Sequence, residues 1–218
     1  MKQLLVAAAL LLAAPAFAQQ TPQTAISSTM ATFDTTWDAT AKTAIGNKFD
    51  LIAKKWPAEW TTNYYAAYSK VQLSYNEKDP KRKDLLLDDA DAYAGEAAKL
   101  IGKESDEIYV LRAMIANARM GVDPQNRWQQ YGKTFEENLD KAKALNADNP
   151  RIYLLRGIAK FYTPKMFGGG KKAALPYFEK ADPLFAKESK NDVAKPYWGS
   201  RTNGWFMAQA KGEDKDDK

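Results

Sequence analysis

Ile108-Tyr109-Val110-Leu111-Arg112-Ala113 and Ile152-Tyr153-Leu154-Leu155-Arg156-Gly157 are near-duplicates standing 44 residues apart. Each ends on a small residue, Ala113 or Gly157, of the kind needed where two helices cross closely. A third such residue, Ala67, closes Trp60-Thr61-Thr62-Asn63-Tyr64-Tyr65-Ala66-Ala67, 46 residues before Ala113. A nearly constant period of this length is the mark of an array of repeated structural units. Between these segments runs a second pattern, clearest in Ala174, Phe178 and Ala181. Weaker versions occur at Ile45, Phe49 and Ile52 and at Phe135, Leu139 and Ala142. Spacings of three and four place each trio on one face of a helix.

Outward from these segments, strong helix formers dominate from Ala25 to Ala210, and the β-branched alternation of strands is nearly absent. The class expected is all-α. Breaks fall at Lys55-Trp56-Pro57, Lys78-Asp79-Pro80, Gly121-Val122-Asp123-Pro124, Asn146-Ala147-Asp148-Asn149-Pro150 and the stretch from Tyr162 to Gly170. They delimit helices of about 12 to 22 residues, the lengths of helical hairpins. Asn149-Pro150 sets a turn residue and a proline at a helix start, where the missing N–H costs nothing.

The ends of the chain carry an address. Met1-Lys2-Gln3 precedes an apolar run from Leu4 to Ala14, too short to span a bilayer but right for a signal-peptide core, and Ala16-Phe17-Ala18 supplies a small-x-small cleavage site. Residues 1–18 are therefore expected to be a signal peptide cleaved after Ala18, with a periplasmic or secreted product and no transmembrane segment. Residues 19–211 form the helical repeat domain, and Gly212 to Lys218 a polar tail expected to be disordered. The chain holds no Cys and no His, which removes disulfides, thiolate and imidazole metal sites and the commonest general base. No cofactor, metal site or catalytic apparatus is expected. Its 32 basic and 27 acidic residues are interspersed, without the basic, aromatic-rich block of a nucleic-acid binder.

Tyr153, Arg156 and Gly157, with Ala174, Phe178 and Ala181, resemble the tetratricopeptide repeat superfamily. Its first helix carries an aromatic, a large and a small residue, and its second an alanine-aromatic-alanine stripe. The stretch from Phe161 through Pro164 and Phe167-Gly168-Gly169-Gly170 is similar to a variant of exported bacterial repeat proteins, in which a Pro and Phe-Gly-Gly loop lengthens the hairpin. The resemblance implies antiparallel hairpins stacked as a short α-solenoid, with first helices lining a concave surface that receives a peptide or partner protein. Arg112 and Arg156 stand where the superfamily usually has leucine, and the period is about ten residues longer than usual.

In that register the outward positions of the first helices are Tyr64, Tyr68, Val110, Met114, Asn117, Leu154, Ile158 and Phe161, which form the candidate binding surface. Tyr64 and Tyr65 are adjacent, so one of them is expected to point outward or into a groove. Arg112 and Arg156 are candidate charged contacts. Either each pairs with an acid of the adjacent second helix, such as Glu136, Glu137 or Asp140, or both are presented to an acidic terminus or ligand carboxylate. Gly168-Gly169-Gly170-Lys171-Lys172 invites a phosphate-loop reading, but Lys165 and Ala173 occupy positions where that motif needs a glycine and a hydroxyl. Asp88, Asp89 and Asp91 read as a solvated face, and Trp198 and Trp205 as caps on the last hairpin. The leading expectation is thus a noncatalytic exported protein that binds a protein or peptide partner in the cell envelope. The alternatives are a small-ligand carrier of a solute-uptake system and a carboxylate-dependent envelope hydrolase.

Overall fold

The computed structural model describes residues 20–189 and 192–212. The expected signal peptide and almost all of the polar tail lie outside the described residues. Among the described residues there are nine α-helices and no strand: α1 (Pro22–Phe33), α2 (Ala39–Lys55), α3 (Trp60–Asn76), α4 (Pro80–Ile101), α5 (Asp106–Met120), α6 (Pro124–Leu145), α7 (Pro150–Tyr162), α8 (Lys171–Phe185) and α9 (Ser200–Lys211). None of these helices is long and apolar enough to cross a membrane.

The punctuation read from the sequence sets the helix starts. Asp79, Asp123 and Asn149 are N-caps, each with proline next in the chain, and their side-chain oxygens accept from the backbone N–H groups of Lys81, Asn126 and Arg151. Consecutive helices pack as hairpins: α3 on α4, α5 on α6 and α7 on α8, with α1 on α2 before them and α9 on α8 after them. The odd-numbered helices also touch one another in order, so two layers run through the stack, as in an α-solenoid.

The periodic small residues sit at the crossings. Ala67 and Ala113 are fully buried, and a Cβ at Gly157 would lie 2.4 Å from Cε1 of Phe178, so the α7–α8 crossing admits glycine only. The paired stripes form the facing surface: Phe49, Leu139, Ala142, Ala174, Phe178 and Ala181 are all buried. In α4 the stripe is Leu87, Ala90, Ala94 and Ala97, without an aromatic.

One segment has no counterpart in the periodic reading. After α8 the chain turns back, and residues 192–199 cross the layer of odd-numbered helices to reach α1 and α3. The Val193 N–H donates to Gln23 Oε1 at 3.3 Å, Tyr197 lies against Tyr65, and Trp198 stacks on Tyr68 at 4.8 Å between ring centroids. Helix α3 is thereby enclosed on every side. From Thr61 to Val71 every residue of it is buried.

This enclosure corrects the expected binding surface. Tyr64, Tyr68, Val110, Met114 and Leu154 are interior residues, whereas Asn117, Ile158 and Phe161 remain partly accessible. Tyr64 and Tyr65 both lie inside, because α3 has protein on both flanks and no outward face is left for either. Trp198 is a core residue rather than a cap, while Trp205 is half exposed.

Candidate functional site

A groove of about 960 Å³ opens where the odd-numbered helices begin and the even-numbered ones end. Its walls come from the end of α4 (Leu100, Ile101, Lys103), the start of α5 (Glu104 to Glu107), the end of α6 (Leu145, Asn146, Asp148), the start of α7 (Asn149, Pro150), the end of α8 (Leu184, Lys187, Glu188), the crossing segment (Ala194 to Pro196) and Trp60. This volume falls in the range of small-molecule sites.

Beneath the groove lies Arg151, the largest fully buried side chain, at 1% exposure. An unpaired guanidinium there would be strongly destabilising, and the surroundings supply two carboxylates. Its Nη1 donates to Glu188 Oε1 at 2.7 Å and to Glu107 Oε1 at 3.2 Å, and its Nη2 to Glu188 Oε2 at 3.0 Å. Nη2 also donates to the Pro196 carbonyl, and the guanidinium lies 5.1 Å from the Trp198 ring centroid. Arg151 thus clamps the crossing segment to the starts of α5 and α7.

The chain of polar groups continues inward. Tyr64 O–H donates to Glu107 Oε2 at 2.8 Å and its oxygen accepts from Trp198 Nε1 at 2.8 Å, while Asn149 Nδ2 donates to Glu107 Oε1 at 2.7 Å. Burial holds the Glu107 and Glu188 carboxyls above the usual glutamate range, with Arg151 opposing the shift in both. Burial likewise pushes the Tyr64 hydroxyl well up, so it stays a neutral donor.

The charges of the groove are unevenly used. Glu107 and Glu188 are taken by Arg151, Asp106 accepts from Asn146 and Asn149, and Glu104 accepts from Tyr109 O–H. Lys103, Lys187 and Lys195 have no ion pair among the described residues. The Asp148 carboxylate on the rim has none either, so apolar side chains at Trp60, Leu100, Ile101, Leu145 and Leu184 stand beside charged groups of both signs, which suits a ligand with an apolar body and charged substituents.

The two arginines of the duplicated segments have different surroundings. Arg156 is half buried, and its guanidinium donates to Glu136 and Asp140 of α6. Arg112 is exposed, with its guanidinium 5.9 Å from the Tyr109 ring centroid. Sequence repetition here does not repeat the geometry. Asp88 and Asp91 bind Arg119, and Asp89 lies 3.3 Å from Lys70. The backbone N–H groups of Gly168, Gly169 and Gly170 donate to the Lys165, Pro164 and Lys160 carbonyls, so they are not free to cradle a phosphate.

Arg151 and Glu107 escape the periodic reading of the sequence. They occupy equivalent positions, each immediately before one of the duplicated segments, with opposite charge. Opposite charges one repeat apart are the signal that marks them.

No protein-family model matches this chain, and no curated protein sequence does. Among solved structures, the chain is similar to the HusA haemophore from Porphyromonas gingivalis, with a TM-score of 0.72 and 32% sequence identity over 85% of this chain and 90% of that one. With that identity sustained over nearly the whole length of both chains, this protein belongs to the same family as the HusA haemophore.

Proposed function

We propose that this protein is an exported, noncatalytic carrier of haem or a related porphyrin, and that the groove at the helix starts receives the macrocycle. The observation that carries the reading is the family relationship to a haemophore. The groove adds chemical support: Trp60, Leu100, Ile101, Leu145 and Leu184 suit an apolar ring, and Lys103, Lys187 and Lys195 suit its carboxylates. A protein or peptide partner on the concave face has less support, because residues 192–199 lie across the helices that would line it. Export rests on the Leu4–Ala14 apolar run and the Ala16-Phe17-Ala18 cleavage pattern.

The donor set limits how the iron of haem is treated. The chain has no His and no Cys, and among the described residues no Tyr or Met lines the groove. The usual axial ligands are therefore missing from it. Recognition falls to the ring faces and the carboxylates, so iron-free protoporphyrin IX should bind within about tenfold of haem. Titration of the purified protein with haem, followed by Soret absorbance, and with protoporphyrin IX, followed by fluorescence, measures this. Lys103→Glu combined with Lys187→Glu should weaken both by about tenfold or more. Failure of both porphyrins to bind the unmodified protein would overturn the proposal.

A further inference from the structure

The groove is bounded mostly by helix ends and the turns beside them, but Ala194, Lys195 and Pro196 belong to the crossing segment. That segment is braced within itself. The Lys195 N–H donates to the Asp192 carbonyl at 3.0 Å and the Ala194 N–H to Asp192 Oδ1 at 2.9 Å, and the proline after Lys195 restricts the backbone further. It therefore moves as a unit. To the helices it is held by hydrogen bonds from Val193 N–H to Gln23 Oε1, from Trp198 Nε1 to the Tyr64 oxygen and from Arg151 Nη2 to the Pro196 carbonyl. Trp198, 2% exposed and stacked on Tyr68, adds the apolar part of the hold.

What the segment contributes to those contacts is neutral. The charges beneath it, Glu107, Arg151 and Glu188, stand on α5, on α7 and in the turn after α8, where the Glu188 N–H donates to the Phe185 carbonyl at 3.1 Å. If the segment lifts, Arg151 keeps both carboxylates and Tyr64 keeps its bond to Glu107, so no buried charge is stranded. Two donors gain instead. Tyr65 O–H, whose ring lies against Tyr197, and Arg151 Nε are buried without a hydrogen-bond partner among the described residues, and opening would give both to water. Gly199 supplies the joint: its φ is 108°, a Cβ there would lie 2.9 Å from Leu154 Cδ2 and from Phe185 Cζ, and glycine can take other angles as the segment lifts. Beyond it α9 stays on α8, through Asn203 Nδ2 to the Phe178 carbonyl at 3.0 Å.

We propose that residues 192–199 are a gate for the cargo of the groove: the segment turns about Gly199, removes the wall formed by residues 194–196, and returns to close it. The gate rests on the carrier reading for what the cargo is. Its latch is Trp198, whose ring must leave Tyr68 and whose N–H must leave Tyr64. Opening is therefore slow beside side-chain motion and sets the rate of cargo release. Tyr64 is a positioning residue: it does not line the groove and acts by holding Trp198.

A reducible tether tests the gate. The chain has no cysteine, so Gln23→Cys with Ala194→Cys can be joined by a bis-maleimide linker that contains a disulfide. Haem release is followed by its transfer to excess apomyoglobin. The tethered protein should release haem at least about tenfold more slowly than the same variant before joining, and reduction of the linker should restore the rate. Association should slow by a similar factor and leave the affinity unchanged, which simple damage to the site would not do. Trp198→Phe should release haem at least about fivefold faster, since its bond to Tyr64 is lost. Without cargo, the Trp198 indole N–H of the unmodified protein should exchange at least about a hundredfold faster than the most protected amides of α3. A tethered protein that releases haem at the untethered rate, or a Trp198 indole N–H protected as well as those amides, would overturn the gate. Failure of the unmodified protein to bind haem or protoporphyrin IX would remove the carrier reading by itself, and equal protection at Trp198 would remove the gate by itself.

Discussion

The two ends of α7 invert the ordinary distribution of side chains in opposite senses. At its start a charged residue, Arg151, is as buried as any leucine of the core, while just past its end Met166 and Phe167 stand in solvent. Buried charge and exposed apolar surface are the two departures that carry information, since an apolar interior and a polar exterior are expected of any folded chain. Here they separate by role. The buried end is costly to disturb because a desolvated guanidinium and two carboxylates depend on one another. At the exposed end, Met166 and Phe167 bury little against their own chain.

The sharpest way to break the comparison is at the buried end. Arg151→Ala should lower stability by about 3 to 5 kcal/mol in urea unfolding, because it strands Glu107 and Glu188 and frees the Pro196 carbonyl. A loss below about 1 kcal/mol would mean that the network is solvated and the crossing segment is held by Trp198 and Tyr197 instead.

A smaller effect concerns pH. With the Glu107 and Glu188 pKa values raised in the folded state, the stability these carboxyls contribute is complete below the ordinary glutamate range and is lost as pH rises through the elevated values. Glu107→Gln removes one of the two titrations. Urea midpoints followed from acid to neutral pH should accordingly fall less steeply in the variant, and an identical slope would show that Glu107 is not held above its usual range.

The smallest effect is expected at the exposed end. Phe167→Ser should shift the unfolding free energy by less than about 0.5 kcal/mol, since the ring buries little against its own chain. A loss of 2 kcal/mol or more, about what burying such a side chain is worth, would place Phe167 in the fold rather than on its surface.

Much of the architecture is legible in the sequence. Periodic small residues mark the hairpin crossings, and Asp79-Pro80, Asp123-Pro124 and Asn149-Pro150 mark helix starts, because capping and close approach are local demands that restrict residue choice at one position. The site is far less legible. Tyr64 and Tyr68 read as outward because a repeat array leaves one face of its first helices open. Nothing in their own neighbourhood announces that Val193, Tyr197 and Trp198, more than 120 residues later in the chain, close that face. Arg112 and Arg156 stand out by repetition, yet only Arg156 has acids of α6 within reach.

The sequence by itself therefore determined an all-helical stack of hairpins and the places where its helices begin and cross, since these follow from helix periodicity, N-caps and small residues at contacts. It also removed imidazole and thiolate ligands, by leaving out histidine and cysteine altogether. The tertiary structure alone decided that the array closes on itself and that Glu107, Arg151 and Glu188 meet under a groove. Pairings across 37 and 44 residues depend on the path of the chain between helices, which no local pattern encodes.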